Sequence, residues 1–206
     1  MRSVTPDKDE IRENQAESNG HRWGKQIFFM GIAILGIGLF WMQKDHYKAY
    51  QQWNKAQMFY NNKAYEAALE VYEPLYPLLK HKPEFLFEAA QSLSKTGQYE
   101  KANEYLERAV LLSSDPMLYY VMAKNEQCLG EYRQAEKHLL HAIDILPERI
   151  YPYYLLMNLY TEPSYFQPAK LKKAIDSVLT KKPKVESSAI KEMKEKARSM
   201  LNNTSI

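Results

Sequence analysis

The sequence has little glycine and almost no cysteine. Its 206 residues include 7 glycines and a single cysteine, Cys128. So few glycines argue against a β-rich fold, which needs many tight turns, and against most nucleotide-binding loops, which need glycine for close backbone approach. With one cysteine, the chain has no intrachain disulfide framework and no cysteine-based zinc site.

The chain also lacks a strong excess of charge of either sign. There are 28 basic and 25 acidic side chains, a formal net charge of +3, which is too small to indicate nucleic-acid binding. The average conceals a difference along the chain, since residues 44–169 carry 13 basic and 16 acidic side chains, and residues 170–198 carry 10 basic and 4 acidic ones. This basic end could contact anionic lipid or an acidic partner, although a solvated capping helix explains it more simply.

Patterns typical of an enzyme active site are missing as well. The sequence contains no GxSxG, Walker or HExxH motif and no convincing pair of carboxylates. His138 and His141 have the i, i+3 spacing that can bind a metal on a helix, but no further histidine or cysteine lies nearby in the sequence. We therefore predict a protein that is not an enzyme, with no catalytic residue, no metal site and no cofactor.

One long apolar run is present near the start of the chain. Residues 27–42 (IFFMGIAILGIGLFWM) contain no charge, and Lys25 and Lys44 bracket them. As a helix the run would cover ~24 Å, somewhat less than the ~30 Å hydrocarbon core of a bilayer. Because an uninterrupted apolar circumference suits lipid and no cleavage signal follows, residues 26–43 predict a single-pass transmembrane anchor after a disordered polar tail at 1–25.

After this run the chain repeats itself. Three segments overlay: KAYEAALEVYEPL (63–75), GQYEKANEYLERA (97–109) and GEYRQAEKHLLHA (130–142). Tyr65, Tyr99 and Tyr132 are spaced 34 and 33 residues apart. Each unit predicts two helices joined by a short turn, in which Gly97 or Gly130 fits a helix C-cap with left-handed backbone. The recurring alanines allow the two helices of a pair to approach closely.

This unit resembles the tetratricopeptide repeat (TPR), in which paired helices stack into a solenoid. The resemblance implies an all-α fold: a TPR-type helical-hairpin solenoid, preceded here by one transmembrane helix. The implied segments are a disordered polar tail at 1–25, the transmembrane anchor at 26–43, a TPR array at 44–183 with units at about 49–82, 83–115, 116–149 and a degenerate 150–183, and a capping helix and tail at 184–206.

A narrower resemblance covers roughly residues 26–200. The apolar run leads into YQQWNKAQMFY, and PEFLFEAAQSL, RIYPYYLLMNLY and KPKVESSAI follow. This order is similar to the last membrane helix and TPR tail of bacterial O-antigen ligase or polymerase-like proteins. Because the multi-span catalytic part of that family is missing, the resemblance implies a helper role and no glycosyl transfer. It also implies a bacterial inner-membrane location, and we expect the TPR array to lie outside.

The TPR resemblance further implies that the first helix of each unit lines a concave groove. With Ala49, Pro83, Pro116 and Ile150 as unit starts, the fifth position is aromatic in all four units. Aromatic faces edged by amides suit an extended peptide or a sugar chain, although the same rings could pack between neighbouring repeats. The predicted groove residues are Tyr50, Trp53, Gln57, Phe87, Gln91, Met117, Tyr120, Lys124, Tyr151, Tyr154 and Asn158.

These patterns together predict a membrane-anchored TPR scaffold that binds a protein partner or extended ligand in its groove. The narrower resemblance implies that it acts within a surface-polysaccharide assembly complex. The alternative is an accessory subunit that contacts the glycan itself, or a detached tail of an O-antigen ligase-like enzyme. The expected partners are a protein, an extended peptide or a glycan, together with the lipid membrane. No nucleic acid is expected, and the sequence leaves the oligomeric state open.

Overall fold

The structure is a computed structural model that describes the backbone of residues 8–203 and the side chains of residues 28–38 and 44–202. The chain divides into two compact units, Met1–Tyr50 and Gln51–Ile206. All regular structure in the described part is helical. The helices are α1 (Lys8–Asn61), α2 (Tyr65–Leu79), α3 (Pro83–Lys95), α4 (Tyr99–Val110), α5 (Pro116–Cys128), α6 (Tyr132–Ile145), α7 (Tyr151–Leu159), α8 (Pro168–Thr180) and α9 (Ser188–Asn203).

The first unit contains the greater part of α1. Residues 8–25, for which the sequence predicts a disordered tail, are helical, and residues 1–7 of that tail lie outside the described residues. Glutamate, glutamine, lysine and arginine, which favour helix, are frequent in this segment. Farther along α1, the side chains of residues 28–38 are exposed.

The predicted transmembrane anchor requires a correction. Within the residues that the structure describes, no helix combines the length and the apolar character that crossing a membrane requires. The apolar run at 27–42 would cover ~24 Å, which is less than the ~30 Å of a hydrocarbon core. The predicted single-pass inner-membrane localisation is therefore wrong, and the described residues give no support to the predicted anchor at 26–43.

In the second unit the helices stack in pairs. α3 packs against α4, α5 against α6 and α7 against α8, while α4 and α6 each pack against the first helix of the following pair. The first helices also touch one another in order, α3 with α5 and α5 with α7. This is the arrangement of a TPR-type solenoid, so the predicted all-α solenoid is confirmed. α9 packs against α8 and α7 at the end of the stack.

The turns inside the pairs need left-handed backbone. The φ angles are 81° at Gly97 and 76° at Gly130, and Lys63, at the matching position of the preceding turn, has a φ of 61°. In each turn the next amide donates to the carbonyl five residues back, at 2.9 Å in two turns and 2.8 Å in the third. Such bonds satisfy carbonyls at the helix end, so the predicted glycine C-caps are confirmed.

Proline begins several of the helices. Pro83, Pro116 and Pro168 are the first residues of α3, α5 and α8, where the missing backbone N–H has no intrahelical acceptor in any case. Pro163 begins a short 3₁₀ turn, Pro163–Tyr165, which stands between α7 and α8 where the earlier pairs have a tight turn. The last pair therefore has a longer connection, as its two prolines predict.

Alanines lie where the helices of a pair meet. Ala68, Ala102 and Ala135 share one repeat position in α2, α4 and α6, and all three are fully buried. A larger side chain at this position would push the paired helices apart, because protein interiors are already close-packed. The alanine spacing in the sequence thus sets the close approach that brings the first helices into one layer.

Candidate functional site

A concave cavity of about 410 Å³ lies over the first helices of the stack, and we call it the groove. Its walls come from α3, α5 and α7, with Tyr99 of α4 at one side. Five of the predicted groove residues line it: Gln91, Met117, Tyr120, Lys124 and Tyr151. Successive first helices supply these residues, because the repeat places the same face of each helix on the same side of the solenoid.

Three tyrosine rings follow one another from the groove towards the end of the stack. The rings of Tyr120 and Tyr151 meet edge to face, with centroids 5.2 Å apart and planes at 79°. Tyr151 and Tyr154 are nearly parallel, with centroids 6.5 Å apart, and the Nζ atom of Lys196 in α9 lies 5.4 Å from the Tyr154 centroid. Tyr120 is only 5% exposed and belongs to the buried cluster that continues into α6, α7 and α8.

Hydrogen-bonding groups surround the rings. Asn125 is buried and donates through Nδ2 to Oδ1 of Asn103 at 2.8 Å, which holds its amide in one orientation. Burial raises the pKa of Tyr120, an effect that the Arg149 charge partly offsets, and burial also raises the pKa of Tyr151. Both hydroxyls therefore stay protonated at neutral pH.

The charge of the groove is positive. Lys95 and Lys124 line it, and both side chains are exposed. No carboxylate is among the lining residues, and neither lysine forms an ion pair within the described part of the chain. An anionic group in the groove would therefore meet two lysines without an ion-pair partner among the described residues, although Asp115, which accepts a hydrogen bond from the amide of Met117, lies at the edge of the groove.

Trp53 and Gln57 are not among the residues that line this cavity, and Glu88 of α3 binds both. Trp53 Nε1 donates to Oε2 of Glu88 at 2.7 Å, and Gln57 Nε2 donates to Oε1 at 2.8 Å. The Tyr72 hydroxyl also donates to Oε2, at 3.1 Å. Trp53 lies edge-on to Phe85 at 5.7 Å between ring centroids. At this fifth position the aromatic ring packs between repeats, which is the alternative that the sequence left open.

Phe87, Tyr50 and Asn158, which were also predicted as groove residues, are not among the residues that line the cavity. Phe87 is half-buried on α3, and Tyr50 is exposed and belongs to the first unit. Gln91, which does line the groove, accepts a hydrogen bond from the Tyr60 hydroxyl. Asn158 is half-buried, and its Oδ1 atom has no hydrogen-bond partner among the described residues.

Sequence reasoning missed a half-buried acidic residue on α6, Glu136. Glu136 of α6 accepts hydrogen bonds from Tyr160 at 2.6 Å, from Tyr165 at 2.7 Å and from Lys170 at 2.7 Å. Burial alone would raise the pKa of Glu136, but the bonds from Lys170 and the two tyrosines outweigh burial and lower it. Glu136 thus joins α6 to α7 and α8. An acidic residue next to the buried Ala135 was the available signal in the sequence.

The two histidines singled out in the sequence lie on α6 with different neighbours. His138 Nδ1 lies 2.9 Å from the carboxylate of Glu126, which is buried in α5. His141 packs edge-on against Tyr119, with ring centroids 4.6 Å apart. Among the residues that the structure describes, no group of three or more potential metal ligands is present. The contact between His138 and Glu126 joins α5 and α6, the two helices of one pair.

Comparisons with known proteins bear on the fold. Residues 61–142 match the family model described as anaphase-promoting complex, cyclosome, subunit 3. A crystal structure of MamA protein superposes with a TM-score of 0.59 and 17% identity, covering 75% of this chain and 88% of that one. The chain has a TPR-like repeat fold.

Two further solved structures agree. MamA from Desulfovibrio magneticus RS-1, from residue 41 to its end, has a TM-score of 0.59 and 19% identity over 77% of this chain and 98% of that one. The third structure contains the TPR-like repeats of a Podosopora anserina kinesin light chain, repeats that its description calls nearly identical. It has a TM-score of 0.56 and 17% identity to this chain, covering 76% of this chain and 88% of that one. No curated protein matches the chain. None of these matches supports the resemblance to O-antigen ligase tails.

Proposed function

We propose that this TPR-like scaffold binds an extended segment of a partner protein in the groove. The observation that supports this most is the meeting of amide, aromatic and cationic side chains from successive first helices. Gln91 comes from α3, Tyr120 and Lys124 from α5 and Tyr151 from α7. An extended peptide offers backbone and side-chain groups at regular intervals, so helices that each contribute a contact suit such a ligand.

The charge of the groove favours an acidic segment. Lys95 and Lys124 face the cavity without a carboxylate among its lining residues. Complementary charge at an interface raises the association rate and selects against partners of the same sign. Because both lysines are exposed, added salt will screen this attraction.

A glycan ligand is less consistent with the geometry. Sugars stack on open faces of aromatic rings, whereas Tyr120 is largely covered and Tyr151 is half-buried. The edge-to-face contact of these two rings directs the edge of one at the face of the other. Hydroxyls and amides then remain as the main contacts, which a peptide backbone satisfies well.

The test uses the full chain and a short fluorescein-labelled peptide of aspartate, glutamate, serine and glycine. Its control replaces every acid by the corresponding amide. Fluorescence anisotropy should show binding of the acidic peptide only, weakening as salt is added. Lys124→Glu should weaken binding by about tenfold, since it replaces an attraction with a repulsion.

The matched control variant is Lys137→Glu. Lys137 is exposed on α6 and is not among the residues that line the groove, so the same change of charge should leave affinity within about twofold. Circular dichroism would verify that both variants fold. Equal losses in the two variants, or equal binding of the acidic and amide peptides, would overturn the proposal.

A further inference from the structure

A second cavity, of about 540 Å³, lies between the α6–α7 connection, the α8–α9 connection and the start of α9. Its walls are largely apolar and include Leu146, Ile150, Val185, Ile190 and Met193. The volume falls within the ~300–1,000 Å³ typical of ligand pockets. Val185 is 76% exposed, so its side chain is apolar surface that an occupant would cover.

This cavity adjoins the groove. Tyr151 lines both of them. On the groove side its ring meets the ring of Tyr120, and on the other side Ile150 and Met193 continue the wall. A segment lying in the groove therefore needs only to pass Tyr151 to place its next side chains in the second cavity.

The rim of the second cavity carries positive charge. Arg149, Lys182 and Lys184 line it and are exposed. The carboxylate of Glu148 also lines it, but this group lies 4.0 Å from the Nζ atom of Lys181. The cationic character of the groove thus continues around an apolar depression. Such a surface is complementary to a large apolar side chain with acidic residues beside it in the sequence.

We propose that the second cavity is an anchor site, which receives one large apolar side chain of the same acidic segment that occupies the groove. This inference rests on the proposed function, because binding in the groove is what brings the segment to Tyr151. The partner is then recognised by two features, an acidic stretch over Lys95 and Lys124 and an apolar residue next to it.

The experiment extends the labelled acidic peptide by a single leucine, or by alanine as its control. Short glycine-serine spacers of graded length are placed at either end, because the direction of the segment is not known. At the best spacing, leucine should improve affinity over alanine by about tenfold, the gain expected from burying a large aliphatic side chain.

Two variants test whether the gain comes from the anchor site. Val185→Asp should abolish the leucine gain and leave binding of the unextended peptide unchanged, because Val185 lies outside the groove and in a non-helical segment. Leu111→Asp makes the same change at an 83% exposed leucine of the α4–α5 connection. It should keep the full gain.

The outcomes separate this inference from the proposed function. If the acidic peptide binds and responds to Lys124→Glu, but leucine gives no gain at any spacing, the anchor site is refuted and the proposed function stands. If leucine still improves affinity over alanine in the Val185→Asp variant, the anchor site is refuted too. Loss of all peptide binding refutes the proposed function itself. Self-association of the chain that Val185→Asp abolishes would show that a second copy fills the cavity, and would also overturn the proposal.

Crosslinking locates the side chain directly. Benzoylphenylalanine in place of the leucine should, on irradiation, label residues 182–193, which contribute much of the cavity wall. Peptide mapping by mass spectrometry reads out the site of attachment. Labels confined to α3 or α5 would place the apolar side chain within the groove and contradict an anchor site beyond Tyr151.

Discussion

Replacing Glu88 by alanine should destabilise the protein more than any exposed glutamate would. The Glu88 carboxylate accepts hydrogen bonds from Trp53, Gln57 and Tyr72. These donors lie 35, 31 and 16 residues away in the sequence, so the carboxylate joins α1, α2 and α3. Alanine leaves all three donors without their acceptor.

The burial of the donors sets the size of the loss. Trp53 is 9% exposed and Tyr72 is fully buried, and a buried donor left without an acceptor costs about 1–3 kcal/mol. Gln57 is half-buried and can turn to water, so its share is small. We therefore expect Glu88→Ala to lower the free energy of unfolding by about 2–5 kcal/mol. Glu88→Gln should lose less, because its amide oxygen still accepts.

Urea denaturation followed by circular dichroism measures this loss. Glu107→Ala is the control, since Glu107 is exposed within a neighbouring helix and should change stability by no more than about 0.5 kcal/mol. Tyr72→Phe should cost about 1 kcal/mol in the wild-type chain and little in Glu88→Ala. Similar stabilities of Glu88→Ala and Glu107→Ala would refute the argument that this carboxylate joins the helices.

Three further predictions concern the turns and the titrating groups. Lys63→Gly should raise the free energy of unfolding by about 0.5–1 kcal/mol, because Lys63 has the left-handed backbone that glycine adopts freely. Gly97→Ala should lower the free energy of unfolding by about 1–2 kcal/mol. The added Cβ meets nothing within 4 Å, so the cost comes from backbone strain alone. Urea denaturation of both variants checks this, and changes of the same sign would contradict it. The pKa of Glu136 lies below its usual 4.5 in the folded chain, so its stabilisation is present above about pH 4.5 and is lost as the pH falls through the lowered pKa. Glu136→Gln should therefore be less stable than wild type by about 1–3 kcal/mol at pH 7 and should approach it in acid, whereas a constant difference would count against the mechanism. Burial, ahead of the nearby Tyr76 and acidic charges, raises the pKa of Tyr105 from 10.0 to about 12, so the neutral phenol stabilises the fold below pH 10, and this is lost as the pH rises through 12. Several tyrosines besides Tyr105 have a raised pKa, among them Tyr120 and Tyr151. Titration of tyrosinate absorbance should therefore show several late groups, of which Tyr105→Phe removes one near pH 12, and an unchanged amplitude there would disprove the assignment.

The contrast between the first repeat and the later ones bears on how such a scaffold selects a ligand. Trp53 and Tyr120 occupy the same repeat position and both are buried, at 9% and 5% exposed. They differ in their neighbours, since Trp53 is bound by Glu88 and Tyr120 lines the groove. The proposed ligand surface lies over α3, α5 and α7, whose side chains line the groove. A partner segment that contacts those helices and the anchor site needs no contact with the ring of Trp53.

Periodicity made much of the fold predictable. The 34- and 33-residue spacing of Tyr65, Tyr99 and Tyr132 indicated paired helices, and the glycines at 97 and 130 marked turns that need a positive φ. Local composition was a poorer guide to the apolar run at 27–42. Its lack of charge predicted a membrane span, but a span also requires length, and no described helix meets both conditions.

The sequence by itself therefore determined the helices, their turns and the face of each helix that lies towards the groove, because these follow from spacing along one chain. The tertiary structure decided which of those residues line the cavity and which are bound by distant residues. Trp53 is bound by a glutamate 35 residues away, and the cavity proposed as the anchor site lies between the α6–α7 connection, the α8–α9 connection and α9. Such contacts join residues distant in the sequence, so no local pattern records them.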